Sequence, residues 1–273
     1  MMDQTGKVWL VGAGPGDPDL ITRKGLRLLQ SADVIVFDRL APPELLDEAR
    51  PDAVLINVGK APARQRQSQE HINEVLISRA RGGAQIVRLK GGDPLLFGRG
   101  GEEALACHAA GIPFEIVPGV SSACAAPAYA GIPLTQREIS SSVTIITGHD
   151  LLEEGPARID YDALSQIGGT LVILMGVKSL PRLQRRLLEA GLNPQTPAAA
   201  IEWGSVAGQR VIEAPLTRLA DTAVARALRA PAIIVIGEVV RLRRAGMRWF
   251  DLPTQVEEQL GESNALQAIL EET

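Results

Sequence analysis

Apolar residues fall along this chain in short β-branched runs, separated by longer stretches in which they recur every three or four positions. In the first half the runs are VWLVGAG, DVIVFD, VLINVG, AQIVRLK and FEIVPG. Each is brief and nearly continuous, the pattern of a strand covered on both faces. Between them DLITRKGLRLLQSA, PPELLDEAR, QSQEHINEVLISRARGG and RGGEEALACHAAG carry apolar residues at helical spacing. This alternation predicts an α/β fold, a mostly parallel sheet with helices on its faces. After GIPLTQREISSSVT (131–144) the texture changes to TLVILMG, AAAIEWG, QRVIEAPL and AIIVIGEVV. The middle two are adjacent without a helix between them, which predicts antiparallel pairing in a second α/β unit with a mixed sheet. The organisation expected is a domain over 1–138, a second over 139–243, and a charged tail over 244–273 that packs loosely.

Composition narrows the function. The 273 residues carry a formal net charge of −4 and only 3% aromatics. That argues against nucleic acid as a partner, because there is neither a basic surface nor a set of rings to stack on bases. An anionic small substrate therefore needs a local basic pocket. No apolar run approaches the ~20 residues of a membrane span. Cys107 and Cys124, set among small residues without ligand spacing, read as reduced and buried. With no signal-peptide pattern, they predict a cytoplasmic protein. His71, His108 and His149 are scattered, so no metal is expected.

The segment VGAGPGDPDLIT (11–22) invites comparison with the dinucleotide fingerprint, and Asp38 ends the next strand where a ribose-binding acid belongs. The phosphate-holding part does not match. Asp17 stands at the third glycine position, where its carboxylate repels phosphate, and Pro15 has no N–H to donate. Three more loops follow strands: NVGKAPARQRQSQEHIN (57–73), LKGGDPLLFGRGGEE (89–103) and VPGVSSACAAPAYAGIPLT (117–135). In a parallel sheet all four converge on the carboxyl edge, the ligand-binding edge of such folds.

Taken in order, GAGPGDPDLIT, ADVIVFDRL, VGK, RLKGGDPLLFGRGGEE, PGVSSA, AGIPLTQR, LMG and IGEVV resemble the tetrapyrrole methylases, over nearly the whole of 7–242. The resemblance is strongest to members that use S-adenosyl-L-methionine to methylate carbons 2 and 7 of uroporphyrinogen III, giving precorrin-2. It implies two α/β domains with the cofactor in the cleft between them, and a homodimer. Without a dehydrogenase–chelatase segment ahead of the match, a stand-alone methylase is expected. The motif positions imply cofactor contacts from Pro15, Gly91, Gly92, Asp93, Leu96, Ser121, Ser122, Met175, Gly204 and Ala232. Met175 reads equally well as a core methionine. Ser121-Ser122 replaces the family's common Thr-Ala, and Leu174 replaces a tyrosine.

The same resemblance implies Asp38 as proton acceptor and Lys60 as proton donor. From the residues alone, Asp38 is as readily a strand-end carboxylate pairing with Arg39. Lys60 is as readily a solvated loop lysine, or an anchor for a substrate carboxylate. Arg99 and Glu102 sit at i, i+3 on the opening turn of a helix, on one face. Arg99 can grip a carboxylate through two parallel hydrogen bonds while Glu102 orients it; a guanidinium stays protonated and is no base. Arg137, after Gln136 where the family often has histidine, and Arg39 are further substrate anchors. Arg64, Arg66 and Arg88 read as surface charges. Three other readings stay open: a methylase for a later precorrin, a ribosomal-RNA methylase, which needs a basic face, and an NAD-dependent oxidoreductase.

Overall fold

The computed structural model describes residues 5–59, 68–149 and 159–250. The five runs of the first half form one sheet: β1 (Lys7–Gly12), β2 (Val34–Phe37), β3 (Val54–Asn57), β4 (Gln85–Lys90) and β5 (Phe114–Val117). All pairings are parallel and the order is β3-β2-β4-β1-β5. Three of the four periodic stretches are helices: α1 (Arg23–Ser31), α2 (Gln69–Arg81) and α3 (Gly100–Ala109). The fourth, PPELLDEAR, folds only as a 3-10 turn over Pro43–Leu46. With prolines at its start and at Pro51, it is too short to repay helix nucleation. Side chains two apart on a strand share a face. Val8, Leu10 and Ile86 accordingly meet α2 and α3, while Val11, Val87 and Leu89 meet α1.

The second sheet contains β6 (Val143–Thr147), β7 (Thr170–Leu174), β8 (Pro197–Glu202), β9 (Arg210–Pro215) and β10 (Ala232–Ile236), in the order β6-β7-β10-β8-β9. The β8–β9 hairpin is the antiparallel pair expected, and β6 lies parallel to β7, so the sheet is mixed. β6 itself was hidden in the junction segment, where VTIIT follows three serines. Helices α5 (Tyr161–Ile167), α6 (Leu180–Glu189) and α7 (Leu219–Ala225) cover one face. The other face takes α4 (Ser122–Tyr129), which leaves the first sheet directly after β5: Ala123, Ala126 and Ala130 pack on Val172, Leu174, Ile201, Ile233 and Val235. Small side chains on that face of α4 let it approach closely. Cys124 points the other way and is exposed, contrary to expectation, whereas Cys107 is buried. Burial pushes the Cys107 thiol up to about 11.

Past β10 the chain packs back on α4, through Arg243 at the end of the second domain and then Trp249 and Phe250. Arg243 is buried, donating to the Ala130 carbonyl and to Glu213. Trp249 Nε1 donates to the Ala128 carbonyl at 2.9 Å, and the Trp249 and Phe250 rings lie 5.1 Å and 4.9 Å from that of Tyr129. Residues beyond 250 lie outside the described part. Among the described residues no helix is long and apolar enough to cross a membrane.

Candidate active site

The loops leaving β1, β4 and β5 are fused backbone to backbone. Gly92 N–H donates to the Gly14 carbonyl at 2.7 Å, and Gly14 N–H returns a bond to Gly92 at 3.3 Å. A Cβ on Gly119 would stand 2.4 Å from the Gly92 carbonyl oxygen, so only glycine fits there. Asp93 pins the assembly. Its Oδ1 accepts from the N–H groups of Leu95 and Leu96, and its Oδ2 accepts from Gly119 N–H at 3.1 Å. Its carboxylate thus fastens the loops through the protein's own backbone, at the position the resemblance gives to a cofactor contact. Held this way, Leu96 packs against the α4 cluster on the second sheet.

The opening loop answers to the other half of the molecule. Asp17 N–H donates to Ser205 Oγ at 3.2 Å, and its carboxylate accepts from Tyr129 Oη at 2.6 Å and from Asp19 N–H at 2.9 Å. The residue that spoils a dinucleotide fingerprint is therefore a strut across the cleft. Gly16, next to Pro15, abuts Gly204 and Ser205, and Gly204 presses on Ala126 of α4. Burial and the Asp17 carboxylate push the Tyr129 phenol up to about 12. Several non-glycine residues after the strand ends have positive φ: Phe97 and Arg99 beyond β4, Met175 at the end of β7, Trp203 and Ser205 beyond β8. Backbone strain of this kind collects at functional sites. Met175 is half exposed, which removes the core reading. Ala232 is buried at the start of β10, opposite Glu202.

Beside these loops lies a group of charges. Asp38, after β2, pairs with Arg88 of β4 (Nη2 to Oδ1, 2.7 Å) and not with Arg39, which is exposed. Arg88, expected at the surface, is 2% exposed because it points inward from a strand covered on both faces. Its Nε donates to Glu103 at 3.0 Å, and its Nη1 to the Val36 and Leu89 carbonyls. Lys90 Nζ stands 3.0 Å from each oxygen of Glu103; it hydrogen-bonds to Oε1, while Oε2 is approached off-line and held by charge alone. Burial first, then the Arg88 cation, pulls the Lys90 ammonium below the usual lysine range. The next loop contact is close: a Cβ on Gly91 would meet Leu40, two residues after Asp38.

Arg99 and Glu102 form the expected fork, Nε to Oε1 at 2.8 Å and Nη2 to Oε2 at 2.7 Å, and both are exposed. The pairing holds the Glu102 carboxyl down and the Arg99 guanidinium up. Arg137 is exposed in the turn closed by Gln136 and Ser140, with no ion pair among the described residues. Lys60, Arg64 and Arg66 lie outside the described residues. Among those described, no group of three His, Cys, Asp or Glu side chains is placed to hold a metal ion.

The glycine cradle suits a cofactor with an adenosine and a carboxylate. A Cβ on Gly92 would meet nothing nearer than Ser122 N at 3.8 Å and Ser121 Cα at 3.9 Å, so the space before it opens onto the start of α4. There Ser121 caps the helix by accepting from Ala123 N–H, and the first N–H of the helix, that of Ser122, has no backbone partner among the described residues. The model of the Tetrapyrrole (Corrin/Porphyrin) Methylases matches residues 7–220. The chain belongs to the tetrapyrrole methylases. This methylase is 51% identical over 242 residues to the S-adenosyl-L-methionine-dependent uroporphyrinogen III methyltransferase of Methanosarcina barkeri, covering 89% of this chain and 95% of that one. It is 48% identical over 238 residues to the siroheme synthase of Gluconacetobacter diazotrophicus, covering 87% of this chain and 50% of the relative, so it spans about half the length of that class. A crystal structure of uroporphyrin-III C-methyl transferase from Thermus thermophilus complexed with S-adenyl homocysteine superposes with a TM-score of 0.74, at 40% identity over 87% of this chain and 100% of the other.

In this methylase, sequence reasoning passed over Glu103, Lys90 and the struts at Ser205 and Tyr129. The first two had a signal. In AQIVRLK the polar residues alternate inside a run covered on both faces, so Arg88 and Lys90 must be buried and need a buried carboxylate.

Proposed function

We propose that this tetrapyrrole methylase transfers methyl groups from S-adenosyl-L-methionine to carbons 2 and 7 of uroporphyrinogen III, giving precorrin-2. The observation that carries the reading is the 51% identity that runs through 95% of a uroporphyrinogen III methyltransferase. The residues suited to the cofactor are Pro15, Gly91, Gly92, Leu96, Ser121, Ser122, Met175, Gly204 and Ala232, with Asp93 fastening their loops. Bound there, the cofactor supplies an electrophilic methyl group. The chain's own work is to place a ring carbon in line with it, and positioning of that kind supplies a large part of such an acceleration. The ring carbon contributes the electron pair of the new C–C bond while the methyl–sulfur bond would break with its pair left on the departing sulfide, and the macrocycle then loses a proton. Asp38 suits that proton: Arg88 holds Oδ1, and Oδ2 accepts no other hydrogen bond among the described residues. Arg99, oriented by Glu102, suits a substrate carboxylate, and Arg39 and Arg137 add exposed cations for the others. Lys60, outside the described residues, keeps the role its motif implies, proton donor or anchor for a substrate carboxylate. The working protein is a cytoplasmic homodimer whose subunits divide at residue 138, with a tail from 244.

The test is anaerobic incubation of the purified protein with S-adenosyl-L-methionine and enzymatically made uroporphyrinogen III, followed by the product mass. A gain of two methyl groups supports the reading. No gain, with S-adenosylhomocysteine still bound, overturns the substrate and keeps the cofactor.

A further inference from the structure

The four charges beneath the rim form one connected unit: Glu103, the member farthest from solvent, holds both cations, and Arg88 carries the link on to Asp38. Glu103 is fully buried, Arg88 2% exposed and the Lys90 side chain 4%, whereas the Asp38 side chain is 31% exposed. Two cations face two carboxylates, so the charges balance one for one. Taking Glu103 away leaves Arg88 and Lys90 sharing a single carboxylate at the rim. Buried charges are tolerated when they are paired and satisfied, and removing one partner strands the rest.

Geometry says what the unit is for. Arg88 is gripped at Nε by Glu103 and at Nη1 by two strand carbonyls, which leaves Nη2 aimed at Asp38. A planar guanidinium fixed at two corners can offer the third in one direction only. Gln69, at the start of α2, donates to Glu103 Oε1 at 3.3 Å, the oxygen that also accepts from Arg88 and Lys90. Glu103 itself stands on the first turn of α3, where the helix dipole favours an anion. A plain structural ion pair would need neither the second cation nor a partner open to the cleft.

Resting on the proposed methyl transfer with Asp38 as proton acceptor, we infer that Glu103 is a positioning residue for that step, acting through Arg88 to aim the Asp38 carboxylate. It touches no reactant. Its effect reaches the reaction only by way of Asp38, and that sets the test. Glu103→Gln, Asp38→Asn and the double variant are assayed by single-turnover methyl transfer, with S-adenosylhomocysteine binding as the measure of an intact fold and cofactor cleft.

Glu103→Gln is expected to lower the methyl-transfer rate about tenfold, a modest share of what acid–base groups contribute. S-adenosylhomocysteine affinity and the KM for uroporphyrinogen III stay put. In the Asp38→Asn background the same change costs less than about twofold, because residues acting through one another are not additive. Three results overturn the inference: an unchanged rate in Glu103→Gln, an equal loss in both backgrounds, or no loss from Asp38→Asn alone. Where Asp38→Asn leaves no rate to measure, the single variant decides: a lower rate at unchanged KM supports the inference, and a raised KM alone overturns it. If Glu103→Gln fails to bind S-adenosylhomocysteine, Arg88→Lys takes its place, since one ammonium cannot span Glu103 and Asp38 together. The same loss is then expected, and a wild-type rate overturns the inference. A wild-type protein that transfers no methyl group brings down the proposed function and this inference with it; an active wild type with an indifferent Glu103 brings down the inference alone.

Discussion

At the scale of single residues, the exposed fork and the buried unit should respond differently to substitution. Arg99 and Glu102 are open to water, so their pairing adds little to stability. Arg99→Lys keeps the charge and loses the two parallel bonds. It should raise the KM for the tetrapyrrole about tenfold, while the melting temperature stays within about one degree. Steady-state kinetics and a thermal melt on the same sample check both halves. The glycines behave otherwise. Gly92 has φ near +70° and an open front, so Gly92→Ala meets strain without a clash and should cost about 1 kcal/mol. Gly119→Ala drives a Cβ into the Gly92 carbonyl and should cost about 3 kcal/mol. Urea titrations of the two variants give the order directly; equal losses would contradict the packing described here.

At the scale of elements, the sheets were legible and the struts were not. Five short apolar runs became five parallel strands; the β-branched runs inside the sheet are buried, while β3 at its edge leaves Val54 and Leu55 exposed. PPELLDEAR misled because periodicity ignores how little chain lies between two prolines. The Arg99–Glu102 fork could be found from local spacing, whereas for Asp38 the residues alone left a pairing with Arg39 equally open, and the structure pairs it with Arg88. Arg88 could not be placed without asking which way a strand residue points, and Ser205 lies 188 residues from its partner Asp17, beyond the reach of any local pattern. The α4 strut is testable. Tyr129→Phe removes the Asp17 bond and should cost about 1–2 kcal/mol. The phenol is pushed up to about 12 in the fold, so the folded state prefers it neutral. Its stabilising share is complete below about pH 10 and is lost as pH climbs toward 12. Thermal melts across that range should fall more steeply for the wild type than for Tyr129→Phe.

At the scale of the whole molecule, the cleft is a place where two sheets are cross-braced. The first sheet sends α4 to cover the second, the second returns Ser205 to the opening loop, and Trp249 and Phe250 lean on the hinge of both. Trp249→Ala removes a ring contact and a bond to the Ala128 carbonyl at the far end of α4. It should lower the melting temperature by about 2–4 °C and weaken S-adenosylhomocysteine binding, because the start of the same helix faces the glycine cradle. Calorimetry with and without that ligand separates the two effects. A loss of stability with unaltered affinity would mean the brace ends at Tyr129.

The strut between Asp17 and Ser205 also dictates an order of events at the ribosome. The glycine loop leaves the ribosome ahead of its partner, which is translated 188 residues later. At ordinary elongation rates that is a wait of about 10–40 seconds. The first sheet can pair during that interval, but the Asp17–Ser205 strut cannot close until β8 has followed it out. Newly made molecules therefore build their first sheet early and lock its opening loop to the second sheet late.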